Sequence, residues 1–120
     1  MNQPNFLSAH RAAGPPSRRF QVTSLTKAEC RKGPFAAGPN LLVSLLDVSQ
    51  REARLVLREK LAPGQEVEIL FRAVWMARPL KCLAQVVACA PQEKGRWCVE
   101  VRFDRAVPYG DLQRMAKIAR

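Results

Sequence analysis

Asp47 and Ser49, in the stretch "LLDVSQREARLVL", close an apolar run, and Arg51, Arg54 and Arg58 follow them. An acid and a hydroxyl two residues apart at the end of a strand can do one of two things. They can bond their own backbone two residues on and shape a turn. They can also offer an acceptor and a donor to the polar edge of a ligand. The three arginines divide in the same way. Either they are the solvated side of a strand, or they are planar forks for phosphate, a geometry that lysine does not match. Arg11, Arg18 and Arg19 form a second cationic group upstream, in "RAAGPPSRRF".

Catalytic chemistry is poorly supplied. The single histidine, His10, lies in a stretch with no hydrophobic period and no fixed neighbours to orient it, which argues against a Ser-His-Asp or Cys-His site. Glu66 and Glu68 alternate with apolar residues and read as the wet side of a strand. Neither GxGxxG nor GxxxxGK occurs, so no glycine-rich phosphate loop is present. Cys30, Cys82, Cys89 and Cys98 lack CxxC spacing and a nearby histidine, so they read as strand or core thiols rather than as zinc ligands or a disulfide framework. The expectation is a binding module without enzymatic activity, metal or cofactor.

Positioning these groups falls to a chain of 120 residues, enough for one modest core. Its 20 Lys and Arg against 10 Asp and Glu give a net charge of +10, which favours anionic partners. Residues 1–20 carry Pro4, Pro15 and Pro16 and read as a basic tail, with residues 21–120 as the folded domain. The N-terminus lacks the apolar segment of a secretory signal, and no apolar run approaches membrane-spanning length, so the expected location is cytoplasmic.

From Val22 onward, short apolar runs alternate with turn signals, as in an all-β domain. "VTSLTKAECR" predicts a first strand and "LLVSLLD" a second, apolar on both sides apart from Ser44. "ARLVLR" alternates, and "EVEILFRAVW" points Val67, Ile69, Phe71 and Ala73 inward. "LKCLAQVVACA" is apolar enough to lie against more than one neighbour. "RWCVEVRFD" turns Trp97, Val99, Val101 and Phe103 inward after a "QEKG" hairpin loop. Trp75 and Met76 sit at the start of a connection, as core lids or as an exposed contact. Leu112, Met115, Ala116 and Ala119 then follow helical spacing, in a C-terminal helix. Six antiparallel strands with one inward face are best served by closure into a small barrel, which removes exposed edges.

The order of these elements, with "LLDVSQREARL", "LAPGQEVEI", "AQVVAC" and "CVEVRF", resembles the PilZ domain, a bacterial β-barrel best known as a receptor for the second messenger cyclic di-GMP. The resemblance covers roughly residues 22–118. It implies a six-stranded barrel with a C-terminal helix, and a ligand site built from an Asp-x-Ser-x-x-Gly motif and an Arg-x-x-x-Arg motif ahead of the first strand. Asp47 and Ser49 stand at the matching positions, and Arg18, Arg19 and Arg51 are the arginines available to such a site. The departures all run one way. Glu52 stands where the motif has glycine, and Glu100 in "EVRF" stands where a Gly-x-x-Phe pattern has glycine. No second arginine follows Arg18 or Arg19 four residues on. A carboxylate ~5 Å from a phosphate repels it by roughly 3 kcal/mol at an effective dielectric of 20. The expectation is a degenerate site at which cyclic di-GMP binds weakly or not at all unless the basic tail contributes, leaving a protein partner to dominate. The alternative is a basic barrel that binds nucleic acid or another polyanion. That reading needs aromatic residues interleaved with cations, whereas Phe20, Phe35, Trp75 and Tyr109 are scattered.

Overall fold

Period-two alternation sets the architecture. In a computed structural model describing residues 19–22, 26–33, 35, 37–74 and 76–115, six strands precede one helix. They are β1 (Lys27–Lys32), β2 (Leu42–Val48), β3 (Glu52–Leu57), β4 (Glu66–Arg72), β5 (Leu80–Pro91) and β6 (Trp97–Phe103), followed by α1 (Tyr109–Met115). All pairings are antiparallel, in the order β1-β4-β5-β6-β3-β2. β5 is long enough to serve two neighbours, pairing with β4 from Leu80 to Gln85 and with β6 from Ala84 to Pro91.

The two outer strands of that order meet. The Leu41 N–H donates to the Cys30 carbonyl at 2.8 Å, and Asn40 Oδ1 accepts from the N–H groups of Cys30 (2.9 Å) and Leu42 (3.0 Å). One side-chain amide thus takes donors from both edges, and the sheet becomes the nearly closed barrel expected. Leu55, Leu57, Val67, Ile69, Phe71, Val99 and Val101 fill it. Helix α1 plugs one end with Leu112 and Met115, and Thr26 Oγ1 donates to the Met115 carbonyl at 2.8 Å. Ala116 and Ala119 lie outside the described residues. Pro63 and Gly64 make a type II turn, with Gly64 at φ 89° and Gln65 N–H donating to the Ala62 carbonyl at 3.0 Å.

Two expectations need correction. The first strand begins at Lys27, not Val22. Upstream of it, Phe20 instead makes an isolated bridge to Val48 on β2. β2 is not a flat strand buried on both sides. Register shifts between Leu42 and Ser44 and between Leu45 and Asp47 turn Leu42, Leu45 and Val48 toward β3's inward residues and push Val43 and Leu46 out toward solvent. On β5, the outward Leu83 and Val87 are likewise exposed. Trp75 lies outside the described residues, and Met76 packs partly buried against the core.

The cysteines occupy strands and are free. Burial pushes the thiols of Cys30 and Cys82 up to about 12, with the charge of Asp111 adding to the shift at Cys82. Only thiolates alkylate. Iodoacetamide at mildly alkaline pH should therefore leave Cys30 and Cys82 unmodified in the native protein and label them after denaturation. Peptide mass mapping reads the difference, and native labelling of either residue would contradict it.

Candidate functional site

The bulges in β2 decide what Asp47 meets. They bring it into register with Arg54 on β3, on the outer face of the barrel. Asp47 Oδ2 accepts from Arg54 Nε at 2.8 Å and also from Arg54 Nη2. Hydrogen bonding to Asp47, and then its charge, holds the Arg54 guanidinium above the ordinary arginine range. The carboxylate is only 10% exposed, so a two-pronged partner is what keeps it satisfied.

A second arginine reaches the same acid from the N-terminal segment. Phe20 N–H donates to the Val48 carbonyl at 2.7 Å, and Val48 N–H donates back at 3.0 Å, which fixes the preceding residue over the end of β2. From there Arg19 Nη1 donates to Asp47 Oδ1 at 3.0 Å. Its Nη2 donates to Glu52 Oε1 at 2.6 Å and to Glu100 Oε2 at 3.4 Å. Glu52 and Glu100 face outward from β3 and β6, where their register partners are Arg102 and Arg54. Arg102 Nη2 lies 3.9 Å from Glu52 Oε2. The corner is a lattice in which Arg19, Arg54 and Arg102 alternate with Asp47, Glu52 and Glu100. On a chain of net charge +10, this patch is formally neutral.

Ser49 does different work. It is fully buried; its Oγ accepts from the N–H groups of Arg51 (3.3 Å) and Glu52 (3.0 Å) and donates to the Glu52 carbonyl at 3.3 Å. The hydroxyl is spent on the turn between β2 and β3. Of the two roles open to the Asp-x-Ser pair, Ser49 takes the turn and Asp47 takes the arginines. The exposed Arg51 side chain has no ion pair among the described residues. Arg18, like Arg11 and His10, lies outside the described residues. The structure therefore gathers Arg19, Asp47, Glu52 and Glu100 at one point, with Ser49 beneath it and Arg51 beside it.

One member of the corner escaped sequence reasoning, and a second, Arg54, is left open between a solvated residue and a fork because its partnership depends on the β2 bulges; the three-residue spacing of Leu42, Leu45 and Val48 is the signal that betrays them. Arg102 shows only as the outward residue after Glu100.

The PilZ domain family model matches residues 17–117. The chain belongs to the PilZ domain family. Neither the curated proteins nor the solved structures gave a match. Membership makes this barrel a regulatory module of the cyclic di-GMP-binding type, in a family of binding modules that are generally not enzymes. Among the described residues, no group of three His, Cys, Asp or Glu is placed to hold a metal ion, and no helix is long and apolar enough to cross a membrane. Phe71 and Phe103 are buried against each other inside the barrel, with ring centroids 6.2 Å apart, and Trp97 packs partly buried against the core. Phe71 and Phe103, buried in this way, are not available as a stacking platform for bases.

Proposed function

We propose that this chain is a bacterial, cytoplasmic PilZ module whose cyclic di-GMP corner is closed from within. The nucleotide binds weakly or not at all, and the barrel acts through a protein partner. The observation that carries this reading is the Arg19 guanidinium shared by Asp47, Glu52 and Glu100. An arginine that could fork a phosphate or a guanine edge is already engaged by carboxylates, two of which stand at motif positions that the family fills with glycine. Opening the corner means breaking those bonds and bringing phosphate toward Glu52 and Glu100. Ser49 adds no free hydroxyl, since its Oγ already serves the turn.

The test is calorimetric titration with cyclic di-GMP, on the full chain and on a chain lacking residues 1–18. Both should give no binding heat at hundreds of micromolar nucleotide. Micromolar binding by either protein would overturn the closed corner. If that binding disappeared on truncation, Arg11 and Arg18 would be identified as its source.

A further inference from the structure

Across the barrel, charged residues paired in register meet opposite charges in four cases: Arg31 with Glu68, Asp47 with Arg54, Arg54 with Glu100, and Glu52 with Arg102. One pair breaks the pattern. Lys27 on β1 stands opposite Arg72 on β4. Both are exposed, and neither has an ion-pair partner among the described residues. Like charges directly opposite one another destabilise a sheet, so nothing internal to the fold calls for this pairing.

The pair sits where β1 begins and β4 ends, at the end of the barrel plugged by α1. Lys81, at the start of β5, stands opposite Leu70 on β4, and its ion-pair contact among the described residues is to Glu68 at 3.8 Å. Arg78, in the connection before β5, is exposed and also lacks an ion-pair partner among the described residues. Two exposed apolar residues belong to the same strand and connection, Leu83 standing opposite Glu68. Val74 is 62% exposed, and Leu83, two residues beyond Lys81 on the same outward side, is 44% exposed. A groove runs between the 76–80 connection and α1, with Met76, Leu80 and Arg78 along one wall and Arg114, ion-paired to Asp111 at 3.2 Å, on the other. This face belongs to β1, β4 and β5, whereas the Arg19 corner belongs to β2, β3 and β6.

We propose that this face docks an acidic partner segment carrying apolar side chains, a reading that rests on the protein partner proposed above. The partner's carboxylates meet Lys27, Arg72, Arg78 and Lys81, and an apolar side chain enters the groove beside Leu80. The surface mixes cations with separate apolar residues and a concave slot. A peptide can match all three features, while a flat anionic bilayer has nothing to place in the slot.

The test uses fluorescence anisotropy with a short labelled peptide alternating glutamate and leucine. A peptide of equal charge with glycine for leucine, vesicles of phosphatidylcholine and phosphatidylserine, and oligothymidylate serve as competitors. The Glu-Leu peptide should bind more tightly than its glycine counterpart. The K27E/R72E variant should lose at least about tenfold in affinity, while R51E on the opposite corner should not change it. The single variant K27E guards against misfolding: it creates an opposite-charge pair with Arg72, so it should weaken the peptide while leaving Tm unchanged or slightly raised. Absence of peptide binding, equal loss in R51E, or preference for vesicles or oligothymidylate would each overturn the proposal. Cyclic di-GMP binding would overturn only the closed corner, so the two failures are distinguishable.

Discussion

Changing Glu52 and Glu100 together to glutamine is expected to give this barrel measurable affinity for cyclic di-GMP, a gain of about a hundredfold over the wild-type chain. The two carboxylates act against the ligand in two ways. Each repels a phosphate by roughly 3 kcal/mol at ~5 Å and a dielectric of 20, a figure that solvent screening reduces because both side chains are partly exposed. Each also holds Arg19 Nη2, at 2.6 Å from Glu52 and 3.4 Å from Glu100. Glutamine keeps the size of the side chain and removes the charge, leaving Asp47 as the remaining anionic partner of Arg19. That guanidinium can then turn one edge toward a phosphate. Exposed ion pairs add little to stability, so Tm should move by only a degree or two while the binding isotherm changes. A double variant that folds normally and still gives no heat would sink the idea that these carboxylates close the corner.

That prediction depends on positions that were unevenly legible in the sequence. The alternation in "EVEILFR" and "WCVEVRF" marked Val67, Ile69, Phe71, Val99, Val101 and Phe103 as inward, and each is buried. The same alternation put Glu100 and Arg102 on the outer face, where they pair with Arg54 and Glu52. "LLVSLLD" misled because two bulges replace its period of two with a spacing of three, and a run that looked apolar on both sides hid the register. Without that register, Arg54 could not be matched to Asp47. Arg19 was legible as an arginine near the site, but its three partners lie 28, 33 and 81 residues away in sequence. The bridge from Phe20 to Val48 brings it there. No local pattern announces an isolated bridge, because propensity and periodicity report on neighbours along the chain. Lys27 opposite Arg72 was hidden for the same reason, since cross-strand charge matching exists only once pairing is known.

Truncating Phe71 to alanine is expected to cost the fold about 4 kcal/mol, the range for emptying a buried aromatic site. Phe71 is wholly buried on β4 and meets Phe103 of β6 edge-on, their planes 78° apart, with β5 between their strands in the sheet. A barrel this small has one core and no second layer to collapse into the space. Domains of this size lose several degrees of Tm per kcal/mol, so a drop of roughly 20 °C should appear in thermal melts. The Phe71→Leu variant leaves a smaller cavity and should lose less than half as much. The core and the corner are also physically joined: Phe103 N–H donates to the Arg51 carbonyl at 2.8 Å, in the turn that Ser49 holds. A strand loosened at Phe103 therefore loosens the turn from which Glu52 reaches Arg19. In Phe71→Ala, amide exchange at Arg51 and Glu52 should quicken along with exchange in the core strands. If those amides kept wild-type protection while the core opened, the corner would be held independently of the barrel, and the bond from Phe103 would not be what couples them.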